Sequence, residues 1–528
     1  MIEDIDNVID QEDQPVYSFK DIKQSDVIKY RFIDTEWIKA TVESRAGKSK
    51  GNLRYWWNVT TDSGDKKSIN TENCEAIEKV LEMGTDTEEV EEALAVVIPR
   101  HLHYQSACIE AKEKELKDWE DFGVYEEVPH EGQKTLGTNW VLVKKLIGDE
   151  EGVKARLCVR GDLEEEVEMI RRDSPTVNKT NIKLFYLIAL HKKWKIKTAD
   201  VKASFLQGTD LEREVFLRPP KKRRIPGIVW KMVKRVYGFV DASRGFYLEM
   251  EKTLKELKCP TSKFDPALYF NIDEETEELK GMLMTHVDDI MYGTGDDDFE
   301  EKVMKPLKTK FEFGSEEESI FRYVGMQVQQ HAQSIVVNFD HYLENLEAPE
   351  REAFEDIQGD ELVNDETQTE FRLLVGKLGW LAKNARPDLG YDGLVMSTKV
   401  GKATADDMKQ LVKLVKKMKA EVTEMKFIDI GPVCDWIIEG HGDAGYKSLP
   451  DKVSSCGGQV ISVKNKTTGA QCVVSWRSKK LKRVVTSSTA AEAMAVNDNL
   501  DEMVYIKEVL KEALGRDAES ISMELYTD

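Results

Sequence analysis

The chain has 528 residues, 41% apolar and 33% charged, with a formal net charge of −22 at pH 7. That length predicts about three or four domains with real cores, and no run of 18 apolar residues exists to form a membrane-spanning helix. The seven cysteines are scattered, with no Cys-x-x-Cys pair, so neither a disulfide framework nor a zinc finger follows, and a reducing intracellular compartment is expected.

Residues 1–24 are acidic, lack the apolar segment of a signal peptide and are expected to be a disordered tail. Residues 25–82 carry VIKYRFI, WIKATVESR, YWWNVTT and KKSIN, separated by the turns AGKSKG and DSGD. That spacing predicts a small SH3-like β-barrel. The acidic stretch 83–98 reads as a linker. Between 101 and 121, Leu102, Ile109, Leu116 and Trp119 fall on one face of an amphipathic helix. Strands and helices alternate from about 123 to 330, and 365–425 is largely helical. Residues 431–528 read as three strands, a long helix and a strand. The fold class is α+β and multidomain.

The net charge argues against nucleic acid as a partner, but it is an average over the chain. Between Val215 and Val240 there are eight basic residues and no acidic one: Arg218, Lys221, Lys222, Arg223, Arg224, Lys231, Lys234 and Arg235. A second basic run is Arg477, Lys479, Lys480, Lys482 and Arg483. Either can be a binding face or a solvated loop, and KKRR at 221–224 is also a candidate nuclear address.

Two segments point to cation chemistry. Asp200 ends the strand-like run WKIKTAD, and Phe205 follows it by five residues. Asp288 and Asp289 stand between GMLM and IMYG, at the expected tip of a hairpin. Adjacent carboxylates repel unless a cation neutralises them. Two Mg²⁺ ions about 3.5–4 Å apart would do so and would serve phosphoryl transfer. An Asp-Asp pair alone is more often plain turn chemistry, so the surroundings decide. Upstream, residues 138–161 read as a basic hairpin with Lys144, Lys145, Lys154 and Arg156 on its arms. VYGFVDASRGFY (236–247), FRYVGMQV (321–328) and FRLLVGKLGWLAKNARPDLGY (371–391) complete the set.

In this order the segments resemble the reverse transcriptase of copia-type retrotransposon Pol polyproteins, over roughly residues 100–528. The resemblance implies a right-hand polymerase with fingers and palm at 99–340 and a helical thumb or connection at 341–430. It implies Asp200, Asp288 and Asp289 as catalytic metal ligands for Mg²⁺, with Mn²⁺ as a substitute. Lys145, Arg156, Phe205 and Arg244 match positions that hold the incoming dNTP, Phe205 being the ring under its sugar. The implied partners are an RNA template, a DNA primer, RNA–DNA hybrid, dNTPs and other parts of the polyprotein. A cytoplasmic, particle-associated location is implied, with the nucleus as an alternative. Two residues depart from the family pattern: His286 replaces a Tyr, and Asp241 replaces a Gln, bringing negative charge toward the triphosphate.

Residues 431–528 resemble part of the RNase H domain of the same polyproteins, which implies Asp443, Glu492 and Asp528 as metal ligands. Thr489-x-x-Glu492 also fits a helix capping box, which competes for Glu492. Family members continue beyond the position of Asp528, so a truncated RNase H-like α/β domain with little cleavage activity is expected. Residues 25–82 resemble, more loosely, the small barrel after the integrase core. The alternative to a polymerase is a degenerate or domesticated copy that only binds nucleic acid or protein.

Overall fold

The structure, a computed structural model, describes residues 97–147, 150–344, 346–347, 354, 357–421 and 424–527, together with five strands nearer the N-terminus. The expected tail at 1–24 and most of the 83–98 linker lie outside the described residues. The chain divides into two compact units, residues 1–89 and 90–528. In the first, β1 (Val27–Arg31), β2 (Ile38–Arg45), β3 (Trp56–Thr61), β4 (Lys66–Asn70) and β5 (Ala76–Lys79) form one antiparallel sheet. Its order is β4-β3-β2-β1-β5. The first four strands are rich in Val, Ile, Trp and Thr, which suit a pleated surface. The fifth, AIEK, carries a weaker signal.

The second unit opens on Ile98, whose N–H donates to the Leu142 carbonyl at 2.8 Å. The amphipathic helix is α1 (Ser106–Asp121), which buries Cys108, Leu116 and Trp119. Leu102 falls in a preceding short 3-10 turn, so the helix starts later than the apolar spacing suggests. Strands β6 (Tyr125–Pro129), β7 (Thr135–Leu136), β8 (Thr138–Ile147) and β9 (Glu150–Val159) follow. β8 and β9 pair along their whole length as the expected basic hairpin.

Helix α2 (Lys179–Lys192) is buried from Thr180 to Leu190, and the Asn178 side chain caps it by accepting from the Thr180 N–H. A helix apolar on nearly all sides belongs inside a core. It feeds β10 (Lys195–Val201). β11 (Phe216–Leu217) and β12 (Ile228–Met232) join β6 and β7 in a sheet ordered β6-β12-β11-β7. After α3 (Ala242–Glu256) come β13 (Leu268–Ile272), β14 (Leu279–His286), β15 (Asp289–Thr294) and β16 (Phe313–Glu318). They enclose β10 in the central sheet, β13-β14-β15-β10-β16.

β17 (Ile320–Tyr323), β18 (Met326–Gln330) and β19 (Ser334–Asn338) precede helices α4 (Asp365–Asn384), α5 (Gly390–Ser397) and α6 (Ala405–Ala420). The chain then returns through β20 (Met425–Ile428) to pair with β19. The last region holds β21 (Trp436–Gly445), β22 (Cys456–Asn465), β23 (Gln471–Lys480), α7 (Ser488–Leu514) and β24 (Ser522–Tyr526). Its sheet is β23-β22-β21-β24, with β24 parallel to β21. The strand and helix order matches the expectation for 431–528.

This last region is not an appended module. One buried apolar cluster contains Leu184 and Phe185 of α2, Met284 of β14, Leu378 of α4, Leu411 of α6, Trp436 of β21 and Met503 of α7. Polar ties cross the same boundary. Thr180 Oγ1 donates to Glu502 at 2.9 Å, Asn181 Nδ2 to the Tyr505 hydroxyl at 2.8 Å, and Trp476 Nε1 to the Ala382 carbonyl at 2.8 Å. A shared core unfolds cooperatively. Tyr505→Phe is expected to cost about 1 kcal/mol and to lower hydrogen-exchange protection in α2 and α7 together. Loss confined to α7 would contradict a shared core.

Candidate functional site

Three carboxylates converge at one end of the central sheet. Asp200 of β10 lies directly opposite Asp289 of β15 in the antiparallel ladder. His286 pairs with Asp289 across the β14–β15 turn, leaving Val287 and Asp288 as a two-residue loop. The Val201 N–H donates to the Asp288 carbonyl at 3.1 Å and ties that loop to β10. One ligand oxygen from each of Asp200, Asp288 and Asp289 lies within 4.8 Å of the others, and no other such group of three occurs among the described residues.

The local backbone is strained. Val287 has φ 56° and Ala203, three residues past Asp200, has φ 46°. Left-handed conformations in non-glycine residues cost about 1–3 kcal/mol each, and a β-branched residue there is rare. Gly314 of β16 approaches from the other side. A Cβ at Gly314 would lie 3.0 Å from Asp200 Oδ2. Glycine therefore leaves room for that carboxylate.

Burial, then the neighbouring Asp200 charge, raise the Asp288 carboxyl above its usual range, while Lys154 and Arg156 of β9 pull it down. The basic hairpin thus acts on the carboxylates through its field. Lys145 sits on β8, but its side chain lies outside what is described. The Arg156 guanidinium lies 4.8 Å from the centre of the Tyr237 ring. Phe205, in the 3-10 turn Ser204–Gln207, has its ring 4.8 Å from that of Tyr237. Tyr237 lies in the segment VYGFVDASRGFY that marks the resemblance, but its contacts with Arg156 and Phe205 are purely spatial, and Gly314 carries no signal in the sequence.

Asp241 does not offer a loose charge to a triphosphate. It is 3% exposed, and Arg213 donates to it at 2.8 and 3.0 Å and Arg235 at 2.7 Å. These guanidiniums hold its carboxyl below the usual range, although burial works the other way. Arg213 also pairs with Glu164. The negative charge expected near the triphosphate is consumed within the fold, and Arg235 leaves the basic run to do it. His286 is buried, and desolvation pushes its ring down to about 4, with Lys179 adding to the effect. At neutral pH it is an uncharged ring, as the family's Tyr is. Arg244 donates to the Asp173 carboxylate at 2.7 Å and to the Asp173 carbonyl at 3.1 Å.

Much of the basic runs is locally paired. Arg223 meets Glu113 and Glu120, Lys231 meets Glu214, Arg477 meets Glu502, Lys479 meets Asp498 and Lys480 meets Asp451. In the last region, Gly440 and Gly442 face α7, where added Cβ atoms would strike Met503 and Asn499. Strand alternation then turns Asp443 to the other face, where it is exposed. Glu492 is on α7, and Asp528 lies outside the described residues. The cap of α7 is Ser487, which accepts from the Ala490 N–H, so the Thr489-x-x-Glu492 capping box does not form. A helix cap two residues earlier removes that use of Glu492. Its Oε2 is buried without a hydrogen-bond partner among the described residues.

Glu115 of α1 braces the hairpin. Its Oε1 accepts from the Leu157 N–H at 3.1 Å and from Trp119 Nε1 at 3.3 Å. Burial pushes this carboxyl up to about 7 from 4.5. Between these values the folded state holds a proton that the unfolded chain has released. Its contribution is therefore present at low pH and lost as pH rises toward about 7, on the order of 3 kcal/mol in all. Glu115→Gln keeps the accepting oxygen and removes the titration. Denaturant melts of this variant are expected to lose that slope, and an unchanged slope would contradict the assignment.

Comparison with known proteins places this geometry. Residues 123–348 match the family described as reverse transcriptase (RNA-dependent DNA polymerase). The chain is similar to the retrovirus-related Pol polyproteins of transposons RE1 and RE2 of Arabidopsis thaliana. It is 25% identical to each, over 400 and 394 residues, covering 71% of this chain and 26% of each relative. To the corresponding polyprotein of transposon TNT 1-94 of Nicotiana tabacum it is 24% identical over 438 residues, 77% of this chain and 32% of that relative. The chain thus spans about a quarter to a third of the length of these relatives. The matched span holds Asp200, Asp288, Asp289, the β8–β9 hairpin and Tyr237, so the likeness to the reverse transcriptase family and the carboxylate geometry fall on the same residues, in a chain similar to retrotransposon Pol polyproteins.

Proposed function

We propose that the chain is an RNA-directed DNA polymerase of copia type, extending a DNA primer on an RNA template from dNTPs. The observation that carries this reading is the convergence of Asp200, Asp288 and Asp289 within 4.8 Å, inside the span that matches the family. We read 99–340 as fingers and palm, 341–430 as thumb or connection, 431–528 as an RNase H-like unit and 25–82 as a small SH3-like barrel.

The donor set fits divalent cations. All three ligands are carboxylates, and burial together with the neighbouring Asp200 charge raises the Asp288 carboxyl, a cost that bound cations relieve. Two Mg²⁺ ions, with Mn²⁺ as a substitute, would supply charge stabilisation at the attacking and leaving oxygens. The chain's own residues do the positioning. The β8–β9 hairpin brings Lys145, Lys154 and Arg156 toward the phosphates, and Arg244 exchanges Asp173 for a phosphate oxygen. Phe205 packs under the sugar and excludes a ribose 2′-hydroxyl. The primer 3′-oxygen displaces pyrophosphate from the α-phosphate and loses its proton, and no protein nucleophile is required. In the RNase H-like unit, Asp443, Glu492 and Asp528 are the candidate ligands. Asp443 lies on the sheet face away from α7, which supports weak hybrid cleavage.

Primer extension on an RNA template with dNTPs and Mg²⁺ tests the reading. Asp288→Asn is expected to lower the rate on the order of a thousandfold. Gly314→Ala, which crowds Asp200, is expected to lower it about tenfold with little change in Tm. A wild-type chain that binds hybrid but extends no primer with Mg²⁺ or Mn²⁺ would instead establish a binding-only remnant.

A further inference from the structure

Tyr237 lies between two parts of the site and has no role in the scheme above. The Arg156 guanidinium covers its ring from the hairpin at 4.8 Å, and the Phe205 ring meets it at 4.8 Å with an interplanar angle of 51°. The backbone that carries the ring is fixed to the base of the hairpin. The Val159 N–H donates to the Tyr237 carbonyl at 2.8 Å. Gly238 follows at φ 95°, where a Cβ would lie 2.1 Å from the Val159 carbonyl oxygen. A Cβ at Gly161 would lie 2.3 Å from the Gly238 carbonyl oxygen. Four residues downstream, Asp241 is held by Arg213 and Arg235.

Phe205 is less constrained by its own backbone. It sits in a single 3-10 turn, entered through Ala203 in the left-handed region. A ring that excludes a hydroxyl must resist displacement by it, and here the resistance comes from the ring behind it. We propose that Tyr237 is a specificity-determining positioning residue that backs Phe205 against the sugar and, through its contact with the guanidinium, holds Arg156 over the phosphates. This rests on the nucleotide-site reading of Phe205 and Arg156. The two contacts predict two separable losses, one in sugar discrimination and one in nucleotide affinity.

The test is single-nucleotide extension with dNTP and with the matching rNTP by the full chain. The variants are Tyr237→Ala, Tyr237→Leu, Tyr237→Phe and, for reference, Phe205→Ala. Tyr237→Ala is expected to lower the dNTP-to-rNTP ratio of kcat/KM about tenfold and to raise KM for dNTP about fivefold. Tyr237→Phe keeps both ring contacts and should restore both parameters to wild-type values. Tyr237→Leu fills most of the space without an aromatic face, so it guards against simple misfolding. It should keep the wild-type Tm and still raise KM for dNTP. If Phe205→Ala lowers the ratio and Tyr237→Ala leaves it unchanged, this inference is overturned while the polymerase reading stands. If the wild-type chain incorporates neither nucleotide, the polymerase reading falls and takes this inference with it.

Discussion

Carboxylates repel, and this chain places three of them within reach of one another at the end of one sheet. Asp200 and Asp289 face each other across a β-ladder, and Asp288 is held beside them by a two-residue loop. Such a cluster is unfavourable in itself, and the surrounding structure both adds to its cost and offsets it. Val287 and Ala203 adopt left-handed backbone conformations near the cluster. Lys154 and Arg156 project a positive field onto it from a separate hairpin. Gly314 gives up its side chain to leave Asp200 room. Strain, field and space all act at one point, which is the expected signature of a functional site.

The residues that depart from the family pattern are accommodated by the same physics. Asp241 would be costly as a lone buried charge, but two arginines surround it and one of them reaches on to Glu164. Breaking such a buried network leaves uncompensated charge. Asp241 is thus committed to this network rather than left as a loose charge. His286 is neutral because it is buried, so it adds no charge beside the carboxylates. Neither residue supplies a physical reason for inactivity.

Local features were legible in the sequence, and spatial ones were not. The run WKIKTAD and the pair Asp288-Asp289 between apolar strands are local patterns, and β10, β14 and β15 form where those patterns lie. The long helix of the last region forms as α7, yet its cap is Ser487 rather than Thr489, because boundaries depend on a balance among adjacent capping residues. α1 likewise starts later than the apolar spacing suggests, at Ser106, because Leu102 belongs to a separate 3-10 turn. The return of β20 to β19 and the shared core between α2 and α7 are long-range choices, which no local periodicity encodes. Arg235 illustrates the limit best. It reads as one more cation in a basic run, and only the position of Asp241 reveals that it is buried and committed.

The central claim is that Asp200, Asp288 and Asp289 form a working divalent-cation centre. Mn²⁺ titration of the full chain bound to primer–template, with free ion followed by electron paramagnetic resonance, addresses it most directly. Saturable binding that Asp288→Asn abolishes and Asp443→Asn leaves intact is the predicted result. Equal binding by the wild-type chain and Asp288→Asn would contradict it.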